Sequence, residues 1–238
     1  MKVVILAGGL GTRLKPQTLH QPKVMIKIGA KPILEHLVNL CVKHDFKQII
    51  ISLHYLPKVV TDYFKSGQRF NADISYSIEE KPLGGAGALK HTEKLLRKDS
   101  FFVLNGDVLT NLNLNAMAKF HRLKRGLGTF LVHKTDHPLD SDLIEYDNNY
   151  LIKRFFRPQP GDKFKPISKS GSHIFEPKVL DFIPENTKYS LEKQLIPNLL
   201  DQGEKLCAYY SDCYSKDMGT PQRLARVKKD FENGKITF

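Results

Sequence analysis

Three stretches of this 238-residue chain carry side chains that could do chemistry together. In the first, the apolar run Val3-Val4-Ile5-Leu6 leads directly into Ala7-Gly8-Gly9-Leu10-Gly11-Thr12-Arg13-Leu14, with Pro16, Thr18, Pro22 and Lys23 beyond. Glycines that follow a buried strand let backbone N–H groups approach phosphate oxygens with no Cβ in the way. In open α/β sheets ligands sit beyond the carboxyl ends of the strands, where this loop begins. Leu14 stands where a dinucleotide fingerprint needs its third glycine, and no Gly-Lys-Ser/Thr supplies a Walker-type lysine. A dinucleotide site is therefore disfavoured, and a simple tight turn is the alternative for the loop taken alone. The second stretch, Phe101-Phe102-Val103-Leu104-Asn105-Gly106-Asp107, is a strand ending in an acid on the same sheet edge, a suitable place for a cation. The third, Lys216-Asp217-Met218-Gly219-Thr220-Pro221, sets another aspartate before a turn and a helix. Either acid by itself reads equally as a turn or helix-capping residue.

The elements that must position these groups alternate through the first half. Val3 to Leu6 is a continuous apolar strand of the doubly buried type. From Pro32, which suits a first helical turn, Ile33, Leu34, Leu37, Val38, Leu40 and Cys41 share one helical face. Strands follow at 49–51, 74–78 and 101–104, with helices at 59–64 and 86–96 between them. This alternation predicts an α/β fold: a Rossmann-like open, mostly parallel sheet with helices on both faces. Beyond His121 short strands near 129–132, 143–146, 152–156 and 173–175 predict a smaller antiparallel addition. A Pro-rich loop runs from Pro158 to Pro166, and helices are expected at 178–182, 191–202 and 222–233. The chain reads as a single domain over 1–238, with a nucleotide-binding half to residue 120 and an acceptor-binding half from 121.

Composition removes other function classes. A formal charge of +12 divides into +8 through Phe120 and +4 from His121, without a dense basic tail or an Arg-rich helix with interleaved aromatics. No nucleic-acid groove is expected, and a phosphate-handling site in the first half accounts better for the charge. The longest apolar runs are too short to span a bilayer, and Gly8 and Gly9 interrupt any secretory core, so no membrane partner and a cytoplasmic address are expected. Cys41, Cys207 and Cys213 lack metal-binding or redox spacing and read as structural thiols.

The string GGLGTRLKPQTLHQPKVM, Gly8 to Met25, closely resembles the signature of sugar-1-phosphate nucleotidylyltransferases, and the resemblance continues through Lys31-Pro32-Ile33-Leu34-Glu35. It implies that Leu6, Ala7, Gly8, Gly9, Gly11 and Thr12 hold the nucleotide, that Arg13 faces the departing pyrophosphate, and that Lys23 contacts phosphate near the reacting centre. A guanidinium grips two phosphate oxygens at once, whereas an ammonium is a compact point charge. Val24 replaces the usual second proline. The resemblance likewise implies that Asp107 and Asp217 are paired metal ligands for Mg²⁺, an ion that takes few carboxylates together with phosphate oxygens. The implied reaction joins a nucleoside triphosphate and a sugar 1-phosphate and releases pyrophosphate, with no histidine required.

The segment Ile78-Glu79-Glu80-Lys81-Pro82-Leu83-Gly84-Gly85 resembles the part of the family that passes beside the base, which assigns Glu79, Gly84 and Gly85 to nucleotide binding. Glu79 falls where uridylyl- and thymidylyltransferases often carry Gln. Guanine offers N1–H and N2–H₂ side by side and suits an acceptor-only carboxylate, so GTP is favoured; a solvated charge at a strand end is the alternative for Glu79. At the acceptor end Phe156-Arg157-Pro158 stands for Glu-Lys-Pro and Lys169-Ser170-Gly171 for Asn-Ala-Gly. Gly106, Arg157, Lys169 and Gly171 are the implied sugar-phosphate contacts, with Lys169 able to add a phosphate contact. The strings from His137 to Leu143 and from Asp217 to Leu224 look most like the guanylyltransferase branch that activates D-glycero-D-manno-heptose 1-phosphate, with mannose-1-phosphate guanylyltransferases close behind. A thymidylyl-, cytidylyl- or uridylyltransferase for a hexose 1-phosphate, and a catalytically silent nucleotide-sensing regulatory subunit, are the competing readings. The resemblance is also compatible with a homo-oligomer.

Overall fold

The computed structural model describes residues 1–159 and 161–236. The chain forms two compact units that interleave along the sequence. The first comprises Met1–Pro82, Phe101–Asn113 and Tyr214–Phe238; the second comprises Leu83–Ser100 and Leu114–Cys213.

In the first unit four parallel strands lie in the order Phe101–Asn105, Lys2–Leu6, Gln48–Leu53, Asp73–Ile78. Val4 sits opposite both Val103 and Ile50, at the centre of this sheet. Val3, Val4 and Ile5 are all fully buried although successive side chains of a strand point to opposite faces, so both faces are covered. Each such side chain contributes about 1.5–3 kcal/mol by leaving water. The helix Ile33–Lys43 buries the stripe expected of it, but Pro32 precedes it in a two-residue strand and caps it from outside. A second helix covers Pro57–Phe64, a little longer than the 59–64 expected, and a third, Pro221–Glu232, is capped by the Thr220 hydroxyl, which accepts from Arg223 N–H at 3.3 Å. Two short strands, Val108–Thr110 and Ser215–Asp217, pair antiparallel.

The second unit carries the antiparallel strands Ile152–Phe156, Leu143–Tyr146, Ile167–Phe175 and Gly128–Lys134. These pairings give the antiparallel addition expected, and one further strand, Leu206–Tyr210, runs parallel to Gly128–Lys134. The helix Leu114–Lys124 was not anticipated at all. The helix expected over 86–96 is instead Gly84–His91 followed by Glu93–Leu96, broken where the buried Thr92 hydroxyl donates to Ala88 C=O at 2.8 Å and competes with the backbone ladder. The stretch 191–202 starts with a wide π turn at Leu191–Leu195 and becomes α-helical only at Ile196, next to Pro197, which has no N–H to give the ladder. Residues 177–182 form a 3₁₀ helix. The Pro-rich loop is irregular on either side of Pro160, which lies outside the described residues.

Buried thiols hold two of the cysteines inert: burial pushes Cys41 up to about 12 and raises Cys207. No described helix is long and apolar enough to cross a membrane.

Candidate active site

The glycine loop of the first unit starts where the strand Lys2–Leu6 ends. Ala7 N–H donates to Ser52 C=O at 2.8 Å, and Gly106 N–H donates to Leu6 C=O at 2.9 Å, so both neighbouring strands fix its root. Gly11, at φ 63°, turns the chain into a one-turn helix, Thr12–Leu14. The fully buried Thr18 hydroxyl donates to Gly11 C=O at 2.9 Å, and Tyr55 O–H donates to Thr18 C=O at 3.0 Å. These bonds clamp the loop from behind while Gly9, Leu10, Thr12 and Arg13 stay exposed.

Asp107 and Asp217 come together by strand pairing. Asp107 immediately precedes Val108, whose partner across the ladder is Asp217, and Met218 N–H donates to Asp107 C=O at 2.9 Å. Each acid holds a base. Lys23 Nζ ion-pairs with Asp107, and Arg223 Nη1 bonds both Asp217 oxygens at 3.0 and 3.1 Å. Gly219 N–H also donates to Asp217 Oδ1 at 3.0 Å. Arg13 crosses to the same place: a Cβ on Gly219 would stand only 2.9 Å from Arg13 Nη2. The loop arginine, the loop lysine and both aspartates, drawn from three separate stretches, thus form one charge cluster within one unit.

The donor set suits a divalent cation of the Mg²⁺ kind. Among the described residues no group of three or more His, Cys, Asp or Glu side chains converges on a metal position, and two carboxylates leave most of an octahedron for phosphate oxygens and water. The basic partners of both acids already satisfy them with positive charge.

Glu79 follows the strand Asp73–Ile78 on the same carboxyl edge. It is buried at 6% exposure, which removes the alternative of a solvated strand-end charge; Glu80 beside it is exposed. Ser52 Oγ donates to Glu79 Oε1 at 2.9 Å, His54 Nδ1–H donates to Glu79 C=O at 2.9 Å, and Glu79 N–H donates to Leu53 C=O at 2.8 Å. Sequence reasoning set the histidines aside and did not single out Ser52. The signal available for both was their position at the carboxyl end of the Gln48–Leu53 strand.

The other anticipated contacts lie in the second unit. Gly84, at φ 75°, and Gly85 open the helix Gly84–His91, whose Ala86 and Gly87 N–H groups both donate to Tyr189 C=O at 3.1 Å. Arg157 is exposed and pairs with Asp142 through Nε at 3.3 Å and Nη2 at 3.2 Å. The Lys169 side chain is only 5% exposed; its ammonium pairs with Glu192 at 3.0 Å and donates to Ser170 C=O at 3.2 Å. That ammonium, expected as a possible further phosphate contact, is engaged within the unit by Glu192 and Ser170. Gly171 is buried in the strand Ile167–Phe175, within the stretch where pairing shifts register between Lys169 and His173. Arg13, Lys23, Gly106, Asp107, Asp217 and Glu79 therefore share the first unit with the glycine loop, and Gly84, Gly85, Arg157, Lys169 and Gly171 belong to the second.

A model of the family described as Nucleotidyl transferase matches residues 2–234. The chain is 35% identical over 233 residues to the UTP--glucose-1-phosphate uridylyltransferase of Synechocystis sp., covering 92% of this chain and 60% of that protein. It is 34% identical over 243 residues to the mannose-1-phosphate guanyltransferase of Debaryomyces hansenii, covering 100% and 64% respectively. The chain thus spans about three fifths of the length of these curated relatives. Among solved structures, HddC from Yersinia pseudotuberculosis is 26% identical with a TM-score of 0.83, covering 97% of this chain and 99% of that one; its complex with GMP-PN is similar at a TM-score of 0.82.

Proposed function

The chain belongs to the nucleotidyl transferase family, and on that premise we propose that it transfers a nucleotidyl group, favoured from GTP, to a sugar 1-phosphate, favoured D-glycero-D-manno-heptose 1-phosphate or mannose 1-phosphate. The observation that carries this reading is the single cluster of Arg13, Lys23, Asp107 and Asp217 beside the glycine loop. A phosphate oxygen of the sugar 1-phosphate attacks the α-phosphorus of the nucleotide. One P–O bond forms as the bond to the β-phosphate oxygen breaks, and pyrophosphate leaves with the electron pair, so no protein nucleophile and no proton transfer are needed.

What the residues supply is position and countercharge. Backbone N–H groups of the loop from Gly8 to Thr12 hold the triphosphate. Arg13 meets the leaving pyrophosphate, and Lys23 neutralises charge near the α-phosphorus. Asp107 and Asp217 would hold Mg²⁺, which when bound neutralises phosphate charge and fixes the geometry of the chain of phosphates. Glu79, buried and oriented, accepts from the two adjacent N–H donors of guanine. The names of the Debaryomyces relative and of the GMP-PN complex support a guanine nucleotide.

The second reading, a uridylyltransferase, is favoured by the name of the Synechocystis relative. A panel of GTP, UTP, dTTP and CTP, each with mannose 1-phosphate and with heptose 1-phosphate, assayed for pyrophosphate, decides between them. GTP is expected to lead; preference for UTP or dTTP would overturn the assignment of Glu79, and no turnover with any pair would favour a silent regulatory subunit.

A further inference from the structure

We infer that Ser52 and His54 are positioning residues for base selection: they lock the Glu79 carboxylate and backbone into the one orientation that accepts guanine and turns away uracil and thymine. The inference rests on the guanine reading of Glu79 and adds the residues that make that reading work. A buried glutamate has three side-chain torsions, and unless they are held its two oxygens sweep a range of directions. Three hydrogen bonds are among those that hold it here. Its N–H reaches Leu53 C=O at 2.8 Å, its C=O accepts from His54 Nδ1–H at 2.9 Å, and its Oε1 accepts from Ser52 Oγ at 2.9 Å.

Because a carbonyl oxygen only accepts, the His54 proton resides on Nδ1. Ser52 is 1% exposed, in the parallel ladder next to the first strand, so its hydroxyl has little freedom to swing. Gly8 packs beside these groups: a Cβ there would lie 3.4 Å from His54 Cβ and 3.6 Å from Glu79 Oε1. The bare glycine therefore brings the phosphate loop into contact range of the base-reading carboxylate.

A carboxylate fixed in this way selects by what it cannot do. It offers acceptors only, so it matches two adjacent N–H donors and opposes the two carbonyl oxygens that flank N3–H in uracil and thymine. With Ser52 removed, the carboxylate gains rotational freedom and the discrimination weakens, while the phosphate machinery is untouched.

The test is the GTP-over-UTP ratio of kcat/KM in Ser52→Ala, in Ser52→Thr, which keeps the hydroxyl, in His54→Leu and in Glu79→Gln. Loss of one hydrogen bond to a charged group is expected to narrow the ratio about tenfold in Ser52→Ala. The change should appear as a higher KM for GTP and not in the KM for the sugar 1-phosphate. Ser52→Thr should recover most of the ratio, and His54→Leu should move in the same direction as Ser52→Ala. A parent enzyme that prefers UTP, or a Glu79→Gln variant with unchanged preference, overturns the guanine reading itself. A parent that prefers GTP and loses that preference in Glu79→Gln, yet keeps its ratio in both Ser52→Ala and His54→Leu, overturns the positioning role alone. So does an equal fall in kcat/KM with every nucleotide, the mark of a purely structural part. If Ser52→Ala does not fold, His54→Leu and the Thr variant carry the same decision.

Discussion

Replacing Gly219 by alanine should damage catalysis while barely touching stability. Gly219 is outside the left-handed region, so its backbone accepts alanine without strain. The added Cβ would nevertheless stand 2.9 Å from Arg13 Nη2 and 3.0 Å from Asp217 Oδ1. Ordinary contact lies at roughly 3.5 Å, so each group must retreat by about half an ångström. Both contacting atoms are side-chain tips, and Arg13 is exposed, so the retreat costs the fold under about 1 kcal/mol, a melting shift of no more than about 2–4 °C. Displacement of catalytic groups by about 1 Å costs on the order of a hundredfold in rate; half of that distance predicts a loss of about tenfold in kcat/KM. Gly203→Ala is the opposite control: at φ 72° with no atom within 4 Å of its Cβ, it should lower stability by about 1–2 kcal/mol and leave turnover alone. Pyrophosphate release and thermal unfolding, measured on both variants, separate the two effects. Parent-level kcat/KM in Gly219→Ala, or a melting loss as large as that of Gly203→Ala, would refute the reasoning.

Lys23→Met removes the countercharge of Asp107 while keeping the aliphatic stem against the loop, and should lower kcat/KM at least about a hundredfold with an unchanged circular dichroism spectrum. Asp107→Asn should behave alike in the same assay. Chelation with EDTA should halt pyrophosphate release and excess Mg²⁺ should restore it, with the melting temperature of the nucleotide-free protein unchanged by either; turnover surviving EDTA would remove the metal role of the two aspartates. Burial first, and Lys169 second, hold the His173 imidazole well below its ordinary 6.5, and burial lowers His121 and His36 as well. The unfolded chain takes up protons near pH 6.5 that the folded one refuses, so stability falls as pH drops below that value and continues to fall until the native pKa values are reached. The urea midpoint should therefore decline from pH 7.5 to pH 5.5, and His173→Phe, placed beside Phe130 and Phe175, should flatten that decline.

The first-half strands were legible because a doubly buried parallel strand needs an unbroken apolar run, and Val3 to Leu6, Ile49 to Ile51 and Phe101 to Leu104 provide one each. The bounds Leu143–Tyr146 and Ile152–Phe156 also agree with expectation. The helix Leu114–Lys124 escaped although Leu114, Met117, Ala118 and His121 recur at helical spacing and are buried; the polar residues between them hid the stripe. Ser215–Asp217 could not be read at all, since Ser-Lys-Asp has no apolar alternation and becomes a strand only by pairing with Val108–Thr110. In the site, Arg13, Lys23, Asp107 and Asp217 were visible as residue types in local strings. The Arg223 pairing, the Ser52 bond to a glutamate 27 residues on, and the burial of Lys169 are products of tertiary packing that spacing does not encode.

The interleaving of the two units sets the order in which a nascent chain gains competence. The ribosome delivers the glycine loop and Asp107, then nearly all of the second unit, and only afterwards Tyr214–Phe238 with Asp217. Until that late segment docks, the glycine loop has a single acid beside it, so on the proposed reading a chain stalled in translation is expected to show no turnover however well its first strands have folded.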